Sequence, residues 1–207
     1  MRILALCGCL VLAASFTVAA WAFSPGKTVE RAVLKAAEIG PGSITRQIPA
    51  GDVLQGQVTL DLCGFKFRSE ALRLARLQLS YIHNNGTGPF LSNEVVVYKH
   101  GGAALAMREL RKAVAHCPKG FVKSPVPGAG LIRNRFDPIK SAKFLPGSVG
   151  LIDHITEKVK KKTLHFDSLL VYQAHWNVLS GVYAFGVVEL PTVVHAANES
   201  ARNLKKL

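Results

Sequence analysis

The sequence predicts an α+β fold, in which an antiparallel sheet made of a hairpin and a three-strand meander packs against helices. Three observations support this prediction: an alternating hairpin at residues 76–99, a helical period directly after it, and three extended apolar runs from Val149 onward. With 207 residues, of which 49% are hydrophobic, the chain is long enough to bury the core of one domain.

Residues 1–22 have the pattern of a cleaved secretory signal peptide. Arg2 gives a positive start, Ile3–Val18 is almost wholly apolar, and Ala22 is a small residue of the kind that a signal peptidase requires before its cleavage site. We therefore predict a mature chain of residues 23–207 that forms a single extracellular domain.

Two alternatives for this segment stay open. The first is retention as a membrane anchor, although the apolar run is short beside the roughly 20 residues that span a bilayer. The second is lipid modification of Cys9, since Leu6-Cys7-Gly8-Cys9 resembles a lipoprotein cleavage site.

The first part of the mature chain predicts a helix and a short extended run. Apolar residues recur at intervals of three and four in Thr28–Ala37, and Gly40-Pro41-Gly42 ends that pattern. After a polar stretch, Val58–Leu60 predicts a short strand. Ser69 is placed to cap a brief helical turn at Glu70–Arg73.

The hairpin gives the clearest strand signal. Residues 76–81 alternate between polar and apolar side chains, and Leu91–Lys99 favours a partner strand after a loop rich in Asn and Gly. The period then becomes helical, since the apolar residues of Ala103–Cys117 form one stripe that includes Cys117.

The C-terminal part predicts a meander followed by a helix. Residues 118–147 are rich in Pro, Gly, Lys and Arg, which predicts an irregular connection with at most one short strand. The three runs of the meander are Val149–Thr156, Leu164–Ala174 and Val178–Val188. Gly181 and Gly186 suggest bends or a close backbone approach in the last one. Apolar spacing predicts a final helix that ends near Leu204.

Cys63 and Cys117 are the two cysteines that remain once the predicted signal peptide is removed. The leading interpretation is a disulfide bond, which implies an oxidising compartment outside the cytoplasm. Closing a loop of about 55 residues would stabilise the fold by roughly 4 kcal/mol in the chain-entropy model. Two free thiols are the alternative.

The chain is strongly basic, with 26 Lys and Arg against 13 Asp and Glu. Loss of Arg2 with the signal peptide leaves 25 against 13, a net charge of +12. Such a charge attracts anionic surfaces, so a cell-envelope polymer or lipid is a candidate partner. The basic clusters lack the interleaved aromatic residues that stack on bases, and we therefore expect no nucleic-acid partner.

Catalytic and metal-binding motifs are absent from the sequence. It contains no nucleophile elbow, phosphate-binding loop or His-Glu-x-x-His zinc motif. His154, His165 and His175 fall on three successive predicted strand regions and could converge on a metal. If His165 and His175 shared one straight strand, however, about 3.3 Å per residue would place them roughly 33 Å apart, too far to bind one ion. We expect a protein that is not an enzyme and carries no metal or cofactor, with an exported hydrolase as a weaker alternative.

Polar residues of the hairpin are the candidate ligand-binding residues: Arg76, Gln78, Asn93 and Glu94. On a sheet face that the helices leave open, a few polar groups among apolar ones would orient a ligand. A solvated strand face is the alternative.

Several segments follow one another in a recognisable order and spacing: Leu34–Gly42, Asp61–Gly64, Leu91–Tyr98, Gly101–Ala103, Glu109–Arg111, Cys117-Pro118 and Val171–Tyr183. Together they resemble the PknH-like extracellular sensor domains of actinobacteria and their secreted relatives.

This resemblance implies an antiparallel sheet backed by helices, a Cys63–Cys117 disulfide bond and a cleft suited to an extracellular ligand that it does not identify. It assigns no binding residue. Since this sequence contains no kinase domain, we expect a freestanding, monomeric, secreted binding domain. The alternative is a basic interaction protein held at an anionic envelope surface.

Overall fold

The computed structural model describes residues 24–83, 90–124, 130–160, 162–186 and 189–207. The predicted signal peptide, residues 1–22, and most of the predicted turn of the first hairpin lie outside the described residues. Among the described residues, no helix is both long enough and apolar enough to cross a membrane.

An eight-stranded antiparallel sheet forms the centre of the fold, with the strand order β1-β2-β3-β8-β7-β6-β5-β4. The strands are β1 (Ser43–Gln47), β2 (Arg73–His83), β3 (Phe90–Tyr98), β4 (Val122–Lys123), β5 (Leu131–Pro138), β6 (Val149–Val159), β7 (Lys162–His175) and β8 (Val178–Phe185). The helices are α1 (Pro25–Ala32), α2 (Ala36–Ile39), α3 (Gly102–Ala115) and α4 (Leu190–Leu204), and a 3-10 turn spans Arg68–Leu72. The α+β fold class is thus confirmed.

Helices pack on both faces of the sheet. Because side chains alternate along each strand, Val96 and Tyr98 of β3 pack with the apolar stripe of α3, whereas Val95 and Val97 pack with α1 and α4. We call these two sides the α3 face and the α1/α4 face. Helix α3 covers only part of its face, and this leaves the rest of that face available for a site.

The predicted hairpin, α3 and the meander are confirmed, although β6 extends to Val159 and β7 begins at Lys162, beyond the bounds of the first two predicted runs. The apolar stripe of α3 is buried as expected at Ala103, Ala106, Met107, Leu110 and Ala113. The helix ends at Ala115, so Cys117 lies just beyond it rather than within it.

The predicted helix Thr28–Ala37 is wrong in its extent, since α1 and α2 are separated by an extended segment. Tertiary bonds explain the break: the amide of Leu34 donates to Asn93 Oδ1 at 3.0 Å, and its carbonyl accepts from the Tyr81 hydroxyl at 2.8 Å. These bonds hold Val33 and Leu34 in a buried, extended conformation. In a continuous helix, the amide and carbonyl of Leu34 would instead bond to other backbone groups of that helix.

Three other local predictions need correction. Val58–Leu60 forms no strand, because the amides of Thr59 and Leu60 donate to the Glu70 carboxylate at 3.1 and 3.2 Å instead of to a neighbouring strand. Ser69 lies within the 3-10 turn and does not cap it. The connection after residue 118 contains the eight-residue strand β5 in addition to the short β4.

Cys63 and Cys117 form the predicted disulfide bond, with a Cα–Cα separation of 5.3 Å. The separation lies within the usual range for such a bond. The bond ties the segment that enters the 3-10 turn to the chain just after α3.

Candidate functional site

A cleft of about 400 Å³ opens on the part of the α3 face that the helix does not cover. Its floor is formed by residues of β2, β3, β8, β7, β6 and β5, and its side by Val58, Thr59 and Asp61 together with Ser124. A concave site of this size, mostly apolar with a few polar groups, is typical of small-ligand binding.

The side wall of the cleft is held in place by two charged residues, Glu70 of the 3-10 turn and Arg73 at the start of β2. Arg73 donates to the carbonyls of Leu54 and Gln57 at 3.0 and 2.7 Å. Glu70, which pairs with Arg73 at 3.3 Å, accepts from the amides of Thr59 and Leu60. The segment of residues 54–60, which has no secondary structure of its own, is therefore fixed against the sheet.

Glu94 connects the wall to the floor. Its carboxylate accepts hydrogen bonds from the Thr59 hydroxyl at 2.9 Å and from the Tyr183 hydroxyl at 3.0 Å, and it forms an ion pair with Arg76. These partners come from the wall, β8 and β2. The charge of Glu94 is thus satisfied within the protein.

Gly181 makes room for one of those bonds. It lies opposite Glu94 on β8, and a Cβ atom at this position would be 2.2 Å from the Tyr183 hydroxyl oxygen. The absence of a side chain therefore allows Tyr183 to lie back over its own strand and reach Glu94. The close neighbour of this glycine is therefore a side chain, and not the backbone that the sequence suggested.

Several polar groups that line the cleft have no hydrogen-bond partner in the protein. They are Asp61 Oδ1, Asp153 Oδ1, Asn134 Oδ1 and Ser168 Oγ. Asp153 and Ser168 lie opposite each other on β6 and β7 and are only 2% and 1% exposed. Because buried polar atoms without a partner are uncommon, this cluster makes the cleft a candidate binding site.

The same cluster holds carboxyl groups with altered acidity. Burial raises the pKa of Asp153 to about 7, against the opposing effect of a hydrogen bond from Asn134. Burial also raises the pKa of Asp61, opposed by a hydrogen bond from Ser124 at 2.7 Å. Perturbed acidity in a cleft is a recognised feature of functional sites.

The four residues predicted from the hairpin do not all lie on the same face of the sheet. Gln78 and Glu94 line the cleft, and Arg76 lies behind them, bonded to both. Asn93 lies on the α1/α4 face, fully buried, where its amide group bonds Leu34, Ser180 and Gly181. Asn93 and Glu94 are consecutive in a strand, so their side chains point to opposite faces.

Reasoning from the sequence missed Asp153, Asn134 and Ser168. One signal for Asp153 was available: it follows Leu151 and precedes Ile155 at the same parity, so an acid interrupts the apolar face of a strand. Ser168 is its cross-strand neighbour. That pairing depends on the register between β6 and β7, which the sequence alone does not define.

A second and more open groove adjoins the cleft behind the same wall. Its volume is about 870 Å³, and it is lined by residues such as Phe65, Lys66, Glu70, Arg73 and Lys123. Glu70 and Arg73 are already bonded to the wall and to each other. The smaller cleft, with its unpartnered groups, is therefore the better candidate.

The three histidines considered from the sequence do not meet. His154 lies on the α1/α4 face between Asp137 and Asp167, with nitrogen–oxygen distances of 2.9 and 2.8 Å, and the bond to Asp137 is the main reason that its pKa is raised. His165 bonds Thr156, and His175 stacks on Trp176 at the far end of β7. Among the described residues, no group of three or more His, Cys, Asp or Glu side chains is placed to hold a metal ion.

Together, the antiparallel sheet with helices on both faces and the half-open α3 face define an α+β fold. The chain is similar to the crystal structure of the extracellular domain of PknH from Mycobacterium tuberculosis, with a TM-score of 0.53 and 15% sequence identity. The similarity covers 87% of this chain and 96% of that one, so the resemblance seen in the sequence is confirmed at the level of the fold. No family model and no curated protein matches the chain.

Proposed function

We propose that this chain is a sensor-like extracellular domain that binds a small molecule in the cleft on the α3 face, as a monomer and without catalysing a reaction. The observation that carries the proposal is the cluster of buried, unpartnered polar groups around Asp153 in a cavity of about 400 Å³. The shared fold with an extracellular domain agrees with this function.

The arrangement of the histidines gives no support to catalysis. A hydrolase would need a base such as His154 or His175 beside the acids of the cleft. His154 and Asp153 are consecutive in β6 and therefore point to opposite faces. His175 is on the same face as His154, so neither reaches the cleft.

The cleft can be tested by filling it. Ser168→Leu adds an apolar side chain at the floor of the cleft, and Thr163→Leu makes a similar change at an exposed position of the opposite face on the same strand. Backbone amide signals of the uniformly labelled protein are followed by NMR during titration with a small-molecule fragment library.

We expect fragments that shift the signals of residues around Asp153 and Ser168. Ser168→Leu should abolish these shifts, and Thr163→Leu should retain them. Fragments that bind elsewhere, or that bind equally well to Ser168→Leu, would exclude the cleft as the ligand site.

Export belongs to the same proposal. We propose that residues 1–22 are removed and that the protein works outside the cytoplasm, which agrees with the Cys63–Cys117 disulfide bond. Intact-mass analysis of protein recovered from the culture medium should give a chain that starts at Phe23. A chain that keeps Met1, or one with a lipid on Cys9, would contradict this form of export.

A second candidate role is attachment to an anionic envelope surface. On the α1/α4 face, beyond the helices, Arg133, Arg135 and Lys158 are exposed on β5 and β6. Sedimentation with vesicles that contain anionic lipid tests this role, because binding should be lost between about 50 and 500 mM salt. Fragment binding in the cleft should persist at the higher salt concentration.

A further inference from the structure

The charge of the cleft is opposite to the charge of the protein. Four of the 13 acidic residues line it: Asp61, Glu94, Asp153 and Glu157. Among the described residues that line the cleft, none is Lys, Arg or His, although the chain has a net charge of +13. An acidic cavity in so basic a protein favours a cationic occupant over the anions that the rest of the surface attracts.

Two of the four acids are satisfied within the protein. Glu94 pairs with Arg76, and Glu157 accepts a hydrogen bond from the amide of Gly130 at 2.9 Å. Asp61 and Asp153 each have one oxygen occupied, by Ser124 at 2.7 Å and by Asn134 at 2.8 Å. Each therefore presents one carboxylate oxygen without a partner.

The unpartnered atoms indicate which chemical group on a ligand would complement the cleft. Amide oxygens and the oxygens of an ionised carboxylate only accept hydrogen bonds. Once both aspartates are ionised, three of the four unpartnered atoms are of this kind: Asp61 Oδ1, Asp153 Oδ1 and Asn134 Oδ1. The fourth, Ser168 Oγ, can also accept. Their complement is a group with several N–H donors, and a positive charge on that group would also offset the buried carboxylates.

Much of the remaining lining is apolar, which favours an organic ligand over a bare ion. Ile132, Ile155 and Leu170 lie beside the polar cluster, while Phe166 and Phe185 are 36% and 39% exposed on the same lining. An inorganic cation would leave this surface unused. A ligand that joins a donor-rich cation to a hydrocarbon or aromatic body would use both parts, with further attraction between the cation and the aromatic rings.

We propose that the cleft binds a small organic cation whose ammonium group lies against Asp153 and Asp61 and whose apolar body packs along Phe166 and Phe185. This inference rests on the proposed function, because it assigns a ligand class to the same cleft.

The raised pKa values of the two aspartates support the same conclusion. Burial raises the pKa of both Asp61 and Asp153, and a cation beside them would lower it again. The other charged groups that act on Asp153 are Asp167 on β7 and His154 on its own strand, both directed to the opposite face. Binding should therefore release protons near neutral pH and strengthen as the pH rises from about 6 to about 8.

Three probes that share a phenyl ring and a two-carbon chain separate charge from shape: phenethylamine, 2-phenylethanol and 3-phenylpropionate. Each is titrated into the mature, disulfide-bonded protein and followed by NMR of the backbone amides. We expect phenethylamine to shift the signals around Asp153 and Ser168 and to bind at least about tenfold more tightly than the other two probes.

The variants Asp153→Asn and Asp61→Asn should each weaken phenethylamine binding about tenfold and leave 2-phenylethanol unaffected. Glu30→Gln, which removes one negative charge from exposed α1 on the other side of the sheet, is the matched control and should bind as the native protein does. If Asp153→Asn fails to fold, Asp61→Asn alone decides the outcome.

Equal or tighter binding of 2-phenylethanol or 3-phenylpropionate in the cleft would overturn the cation proposal and leave the cleft as a ligand site. Phenethylamine binding that neither aspartate variant weakens would also overturn it. If none of the probes binds in the cleft, the cation proposal is rejected, and the fragment titration with Ser168→Leu decides the proposed function separately.

Discussion

The side chains of Arg76 and Glu94 form an ion pair that is almost completely buried, with exposures of 4% and 2%. Arg76 also donates to the Ala50 carbonyl at 2.8 Å and to Gln78 Oε1 at 2.6 Å, so its guanidinium links β2 to the preceding loop. Glu94 in turn holds Thr59 and Tyr183. The pair supports the floor of the cleft, and each of the two buried charges is neutralised by the other.

Arg76→Met should destabilise the fold by about 3–5 kcal/mol, because it leaves the Glu94 charge buried without its partner. The double variant Arg76→Met/Glu94→Gln should recover part of that loss, since it removes the uncompensated charge. Urea unfolding measures both. Arg135→Met is the control, because the Arg135–Asp137 pair is 67% and 50% exposed and should contribute little to stability. Equal losses at the two positions would contradict this account.

Asp153 should make the stability of the protein depend on pH. Its pKa is 3.8 in an ordinary environment and about 7 in the folded protein, so between these values the folded state holds a proton that the unfolded state has lost. The free energy of unfolding therefore falls as the pH rises from about 4 to about 7. The corresponding difference is on the order of 4 kcal/mol, as an upper bound.

Asp153→Asn should remove this dependence. We expect the variant to be more stable than the native protein at about pH 8 and nearly equal to it at about pH 4, because the native residue is neutral there. Unfolding at a series of pH values measures the difference, with Asp52→Asn, an exposed position outside the cleft, as the control. A difference that does not vary with pH would show that Asp153 is ionised throughout.

The elements predicted correctly are those with a regular sequence pattern. The buried positions of α3 follow the helical period, and polar and apolar side chains alternate at residues 76–81 of β2. Strand β1 was missed because four of its five residues are exposed at the edge of the sheet. Strand β5 was missed because the side that lines the cleft includes Asn134, a polar residue where a core strand would be apolar.

The candidate site was predictable only in part. Gln78 and Glu94 follow from the alternation of the hairpin, and the same alternation excludes Asn93. Asp61 and Asp153, in contrast, are 92 positions apart in the sequence. Only the folding of the wall against β6 brings them to one cleft, and no local pattern encodes this approach.

Gly181→Ala should displace Tyr183 and weaken the floor of the cleft. The new Cβ would meet the Tyr183 hydroxyl at 2.2 Å, so the ring must move and its bond to Glu94 is lost. We expect a loss of about 1–3 kcal/mol in unfolding free energy and large amide shifts on β3 and β8. Gly26→Ala is the control, because no atom lies within 4 Å of the added methyl group. A stable Gly181→Ala protein with unchanged spectra would contradict the packing described for Tyr183.

The Cys63–Cys117 disulfide bond should stabilise both the fold and the wall of the cleft. Cys63 follows Asp61 by two residues, and the bond spans 54 positions. The variant Cys63→Ser/Cys117→Ser should lose about 2–4 kcal/mol, and the amides of Thr59 and Leu60 should exchange faster with solvent. Mass spectrometry of the alkylated native protein is the control, since neither cysteine should carry a label. Labelling of both, or a variant of native stability, would show that the bond does not hold the wall.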